Sequence, residues 1–192
     1  MKKFSGKKVC AAVFISGRGS NLKSLINFSK TKISPIKIEI VFSNNKSAFG
    51  LKFAKEKKIE IIHLNEKNFN ILEQKLAKIL NEKKIELICL AGFMRILSKS
   101  FIKKFNGKII NIHPSLLPKY KGLNTHKRVL ENKDNITGCT VHYVNHELDG
   151  GEIIIQKTVK VDAKDTITTL ADKVLKQENL IYPEAIKIVL KK

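Results

Sequence analysis

Asn111 and His113 stand two residues apart at the end of an apolar run, in Gly107-Lys108-Ile109-Ile110-Asn111-Ile112-His113-Pro114-Ser115-Leu116-Leu117-Pro118. In an extended strand, residues i and i+2 project to the same side. An amide donor beside an imidazole suits acyl transfer: Asn111 would stabilise a tetrahedral oxyanion and His113 would move a proton. A capping asparagine and a hydrogen-bonded histidine in a proline-stiffened turn would give the same pattern. A second stretch, Ser16-Gly17-Arg18-Gly19-Ser20-Asn21-Leu22, sets two glycines between an apolar run and an amphipathic one. Backbone without Cβ approaches a ligand closely, and the N–H groups of a helix start favour an anion such as phosphate. Any tight strand-to-helix turn can also use glycine this way. A third stretch, Leu148-Asp149-Gly150-Gly151, offers a carboxylate that would orient an imidazole and raise its pKa. Asp-Gly is equally the chemistry of a plain hairpin turn.

Several other chemistries lack their residues. A dinucleotide loop wants a third glycine, where Leu22 stands, and an acid after the second strand, where the chain reads Phe42-Ser43-Asn44-Asn45. The lysine of a P-loop is missing too, so a single phosphate on a small molecule is expected. Cys10, Cys89 and Cys139 are far apart and give neither a disulfide frame nor a zinc pattern. Among His63, His126, His142 and His146, no pair at helical spacing is backed by an acid, so no metal is expected.

The formal charge is +20, from 37 Lys and Arg against 17 Asp and Glu. The lysines are scattered, and Arg18, Arg95 and Arg128 are the only arginines. Nucleic-acid readers lean on arginine for bidentate contacts, so no specific nucleic acid is expected, while a positive field would still draw an anionic small substrate. No apolar run approaches the ~18 residues of a membrane span. The basic N-terminus, Met1 to Lys8, leads into Ser16-Gly17-Arg18-Gly19 rather than a small-residue cleavage site. The expected compartment is the cytoplasm.

Short apolar runs alternate with longer amphipathic ones, the pattern of an α/β sheet with crossover helices. Strands are predicted at Val9–Ser16, Ile36–Ser43, Ile59–Leu64, Leu87–Ala91 and Lys108–Ile112. Helices are predicted after an N-cap at Ser20, from Ser47 or Ala48 to about Lys57, over Asn68–Lys83 and near Ser98–Phe105. Gly138–Val144 and Glu152–Val161 read as an antiparallel pair. Thr166–Leu190 holds one or two helices, which Pro183 should bend or interrupt. The fold class is therefore α/β: a mostly parallel, twisted, Rossmann-like sheet with helices on both faces and an antiparallel C-terminal part, in one domain. Ligands of such sheets sit at the carboxyl ends of the strands, where the three stretches fall.

Taken together, these stretches resemble the folate-dependent glycinamide ribonucleotide formyltransferases of purine biosynthesis. The likeness runs in order through Ser16-Gly17-Arg18-Gly19-Ser20-Asn21-Leu22, Ala91-Gly92-Phe93-Met94-Arg95-Ile96-Leu97-Ser98, Asn111-Ile112-His113-Pro114-Ser115-Leu116-Leu117-Pro118, Leu148-Asp149-Gly150-Gly151, Gln177-Glu178 and Ile181-Tyr182-Pro183. It implies a single formyltransferase domain over 1–192, with a phosphate-binding half at about 8–106 and a catalytic and folate-binding half at about 107–192. It implies Asn111, His113 and Asp149 as the catalytic set, acting when the glycinamide amine attacks the formyl carbon of 10-formyltetrahydrofolate. It further implies that Gly19, Ser20 and Asn21 hold the ribose phosphate and that Glu178 contacts the glycinamide end. Met94, Arg95, Ile96 and Leu97, with Asn111, would line the folate site, largely through backbone groups. The implied partners are glycinamide ribonucleotide and the reduced folate as co-substrate, with no metal and no membrane, in a monomer or homodimer. The chain departs from the family where an arginine often reaches the folate, since Asn65–Gln74 has none and offers only Lys67, with Lys75 just beyond. Arg18 stands where a small polar residue is common, and could add a phosphate contact.

Two relatives by superfamily and one unrelated class compete with this reading. Methionyl-tRNA formyltransferase resembles a longer chain with a C-terminal barrel, and formyltetrahydrofolate deformylase usually carries an N-terminal regulatory domain; neither addition has residues here. A nucleic-acid-binding α/β module would be expected to cluster arginines among aromatics, which this sequence does not.

Overall fold

The computed structural model describes residues 4, 6–64 and 66–191. The basic N-terminal stretch on which the expectation about a leader rests lies partly outside them, at residues 1–3 and 5, as does Asn65. The elements follow in the order β1 (Val9–Ile15), α1 (Ser20–Ser29), β2 (Ile36–Ser43), α2 (Leu51–Glu56), β3 (Glu60–Ile62), α3 (Phe69–Glu82) and β4 (Leu87–Leu90). After these come α4 (Lys99–Lys104), β5 (Lys108–His113), α5 (Thr125–Glu131), β6 (Ile136–Tyr143), β7 (Ile153–Lys160) and α6 (Ile167–Val189). The strands form a seven-stranded sheet in the order β3-β2-β1-β4-β5-β6-β7. β1 runs parallel to β2 and β4, and β2 to β3, whereas β6 and β7 pair antiparallel. The expected parallel sheet with an antiparallel C-terminal part is what forms. The chain divides into two compact units, one ending at Ile110 and one beginning at Asn111.

In the first unit the continuous apolar run of β1 is buried from Ala11 to Ile15, as a strand covered on both faces must be. Phe14 meets Phe42 of β2 edge-on, with ring centroids 5.0 Å apart. Side-chain caps form on α3 and α4. Asn68 accepts the N–H groups of Asn70 and Ile71, and Ser98 accepts that of Phe101 at 3.0 Å. The cap of α1 is Gly19 rather than Ser20, which is the first helical residue. Gly19 adopts φ 73°, and a Cβ there would lie 2.5 Å from the Cα of Gly50. Two backbones cross at this point, and only glycine on both sides permits it. The next helix, α2, accordingly starts late, at Leu51, after a turn that ends on Gly50.

In the second unit two expectations need correction. Helix α5 is a seven-residue element that the hydrophobic pattern misses, because only Thr125 and Val129 of it are buried. Helix α6 runs unbroken through Pro183. An interior proline costs about 3 kcal/mol. Here Ile181, Tyr182, Ala185, Ile186 and Val189 are buried on both sides of it, and α6 packs on β6 and β7. At roughly 1.5–3 kcal/mol per fully buried large apolar side chain, that burial outweighs the proline.

Candidate active site

Asn111 and His113 leave the end of β5 with only Ile112 between them, as the alternation of a strand requires. The chain then turns through Pro114 to a cis peptide at Leu117–Pro118 and reaches Tyr120. The turn is tied from within. Ser115 donates its hydroxyl to the carbonyl of Lys119 at 2.7 Å, and the Thr140 hydroxyl of β6 donates to the carbonyl of Ser115 at 2.6 Å. This returns the Tyr120 carbonyl to within 2.9 Å of His113 Nε2. The neutral ring therefore carries its proton on Nε2 and leaves a bare Nδ1.

That bare nitrogen faces Asp149. Nδ1 lies 3.4 Å from Asp149 Oδ2, and both side chains are buried. Asp149 sits on the β6–β7 connection in the left-handed region at φ 48°, uncommon for a non-glycine residue, so turn and carboxylate are one feature. The backbone N–H of Gly122 donates to the same Oδ2 at 2.8 Å. The other oxygen, Oδ1, lies 3.7 Å from Nε2 of His142, a buried residue of β6. His142 in turn places Nδ1 2.8 Å from the carbonyl of Tyr143, which fixes its proton there. Its Nε2 then accepts from the Asn111 amide Nδ2 at 3.1 Å. An amide nitrogen has two N–H groups, so one holds the imidazole and the second remains to donate.

The electrostatics follow from burial and from these neighbours. Burial is the largest influence on His113 and holds its pKa below the ordinary 6.5. The Tyr120 carbonyl and the Asp149 charge pull upward, while His142 and Arg128 add to the downward side. The upward pull expected from a neighbouring acid is present but outweighed, because desolvation of the imidazolium is the larger influence. For Asp149, burial pushes upward but is outweighed by the His142 ring, the Gly122 N–H and the nearby His113, which hold the carboxyl below its ordinary 3.8. His126 on α5 is also held low, by burial and then by His113.

His142 is the residue that sequence reasoning missed. By sequence it falls among the histidines without a metal pattern, yet it joins the amide to the carboxylate. A usable signal lay in its strand: Cys139, Val141 and Thr140 around it are all buried, so a histidine there had to be paired.

The remaining predicted residues fall in two places. Glu178 of α6, also in the second unit, is 7% exposed, and its charge joins burial in pushing the Cys139 thiol up to about 12. In the first unit, Gly19, Ser20 and Asn21 form the start of α1. The turn before them is held by Gly50 N–H donating to the Gly17 carbonyl at 3.0 Å and by the Asn45 amide donating to the Ser16 carbonyl at 3.2 Å. Met94, Arg95 and Ile96 are exposed and Leu97 is buried, in the connection between β4 and α4. Lys75, a possible stand-in for the family's arginine, is engaged with Glu66 at 2.9 Å. Among the described residues, no group of three or more His, Cys, Asp or Glu could hold a metal ion, and no helix is long and apolar enough to cross a membrane.

A family model described as formyl transferase matches residues 9–186. The chain is 44% identical over 179 residues to a phosphoribosylglycinamide formyltransferase of Haemophilus influenzae, covering 92% of this chain and 84% of that one. It is 45% identical over 190 residues to the trifunctional purine biosynthetic protein adenosine-3 of Gallus gallus, covering 97% of this chain but 19% of that protein. The chain thus spans about a fifth of the length of that trifunctional relative. The crystal structure of the phosphoribosylglycinamide formyltransferase of Anaplasma phagocytophilum superposes with a TM-score of 0.87 at 41% identity, covering 94% of this chain and 86% of that one.

Proposed function

This chain belongs to the phosphoribosylglycinamide formyltransferase family, and on that premise we propose that it transfers a formyl group from 10-formyltetrahydrofolate to the amine of phosphoribosylglycinamide in de novo purine biosynthesis. The observation that carries the reading is the Asp149 carboxylate between two buried imidazoles, His113 and His142, with the Asn111 amide on the second.

In the proposed reaction the glycinamide nitrogen attacks the formyl carbon, and the carbonyl oxygen becomes an oxyanion. The second N–H of Asn111 donates to that oxygen, where developing charge makes the bond worth most. The amine sheds a proton as the new C–N bond forms. His113 Nδ1, neutral because burial holds its pKa low, is the base that takes it. The resulting imidazolium is stabilised by Asp149 at 3.4 Å. As the intermediate collapses, the carbon–nitrogen bond to the folate breaks and a proton returns to the departing nitrogen. His142 holds the Asn111 amide in the orientation this requires.

In the same reading Gly19, Ser20 and Asn21 bind the ribose phosphate through backbone N–H groups at a helix start. Glu178 contacts the glycinamide end, and Met94–Leu97 line the pterin. One domain spans 1–192, with its phosphate-binding half at about 8–106. The protein works in the cytoplasm as a monomer or homodimer, on small molecules rather than nucleic acid. The test is direct: purified protein is incubated with glycinamide ribonucleotide and 10-formyltetrahydrofolate. The formylated product is then sought by mass. Both ligands binding without product would overturn the assignment.

A further inference from the structure

In the connection 91–98 Ala91 is buried and the Phe93 ring meets Phe14, with ring centroids 5.5 Å apart, but the stretch that follows is held less by its own side chains. Met94 is 65% and Ile96 66% exposed, and only Leu97 is buried within Met94–Leu97. Holding such a segment still costs about 1–2 kcal/mol of backbone entropy per residue. Two side-chain acceptors from elsewhere in the first unit take hold of its ends. The Ser16 hydroxyl, which donates to Asn44 Oδ1 at 2.6 Å, accepts the Met94 N–H at 2.8 Å. Glu73 Oε1 accepts the Ser98 N–H at 2.9 Å.

Glu73 is unusual in its own right. It is 2% exposed on α3, and its Oε2 has no hydrogen-bond partner among the described residues. A buried carboxylate is expensive, and an apolar residue would pack here more cheaply. What the carboxylate supplies is a charge-assisted bond to one backbone N–H, roughly twice as strong as a neutral one. One helical turn earlier on the same face, the Phe69 ring lies under the Arg95 guanidinium, 5.3 Å from its centroid.

We propose that Glu73 and Ser16 are positioning residues that fix the two ends of Met94–Leu97, so that its main-chain groups stand ready for the folate; this rests on the reading of that segment as folate-lining. Glu73→Ala and Ser16→Ala are each expected to raise the KM for 10-formyltetrahydrofolate about tenfold, the scale of a misplaced binding group. Glu73→Ala should leave the KM for glycinamide ribonucleotide within about twofold, since no contact of that substrate is assigned to it. Glu73→Gln keeps an acceptor oxygen and should recover most of the folate KM. A merely structural role would instead lower the active fraction and spare both KM values. Ser16→Ala keeps the proposal falsifiable if Glu73→Ala does not fold.

Amide hydrogen exchange with tetrahydrofolate separates the two layers. Protection gained over residues 94–97 supports the folate reading, and none overturns both the reading and the proposal. Protection gained, with folate KM values unchanged in folded Glu73→Ala and Ser16→Ala, overturns the positioning role alone.

Discussion

In the turn from Ser16 to Asn21 the groups available to a ligand belong to the main chain, whereas around Asp149 they belong to side chains. The turn is set by backbone geometry: Gly19 at φ 73°, the close approach of Gly50, and main-chain carbonyls held by Gly50 and Asn45. Arg18, at its tip, is exposed. The Asp149 cluster is set by side chains that fix each other's protons: Tyr120 and Tyr143 carbonyls choose the tautomers, His142 orients Asn111, and Gly122 holds the carboxylate. Binding an anion needs partial positive charge at a fixed distance, which any residue's N–H supplies. Moving a proton needs a group that changes charge near neutral pH, which only a particular side chain supplies. The first region should therefore be sensitive to backbone strain and tolerant of side-chain change, and the second the reverse.

The largest effect should come from the second region. His113→Ala and Asn111→Ala are each expected to lower kcat by about two to four powers of ten, the cost of losing an acid–base group or an oxyanion donor. Their melting temperatures should stay within about 3 °C of the parent, a shift on the order of 1 kcal/mol. Wild-type turnover in either would place the chemistry elsewhere.

Next is Asp149→Asn, expected to slow turnover about ten- to a thousandfold. It also carries a signed pH test. Asp149 is one of the influences that raise the His113 pKa against burial. Its removal should move the acidic limb of kcat/KM, and the His113 NMR titration, to lower pH. An upward movement would show that the two groups do not interact as described. The low His113 pKa means that the unfolded chain binds the extra proton first, so stability should fall as pH drops below 6.5. Asp149, held below 3.8, adds a loss as pH falls further through that range. In His113→Ala the loss just below 6.5 should shrink.

Smaller effects belong to the turn. Gly19→Ala must take φ 73° with a Cβ 2.5 Å from Gly50 Cα, and should cost about 1–3 kcal/mol of stability. The KM for the phosphorylated substrate should rise about tenfold with the folate KM little moved, on the same misplacement scale. Ser20→Ala with Asn21→Ala keeps the backbone N–H groups and should move the same constant in the same direction, but by less. Least of all, Arg18→Ala should change it by less than about threefold, and less still at high salt. A larger loss at Arg18 than at Gly19 would reverse the contrast between the regions.

Much of this contrast was readable from residue types. Asn111 and His113 are legible because a strand's period of two puts both on one side, and the glycines because few other residues tolerate that turn. Asp149 was legible as a turn residue and as a carboxylate, and it is both. Three things were not. His142 is 31 residues from Asn111, and nothing local marks the hydrogen bond between them. The direction of the His113 shift depends on how much water its ring loses, which sequence spacing does not contain. Pro183 reads as a bend or an interruption because the helix rule is local, while the burial that keeps α6 continuous is not.

The order of apolar and amphipathic runs determined the α/β sheet, because that depends on side-chain period and on interactions within a few residues, and residue types marked the groups proposed for the chemistry. Which imidazole nitrogen carries a proton, which carboxylate oxygen meets which ring, and whether burial or charge wins at His113 were decided only in three dimensions. Those outcomes are set by distances and solvent exclusion among Asn111, His113, Tyr120, His142 and Asp149, residues that the chain keeps apart and the fold brings within 4 Å of their partners.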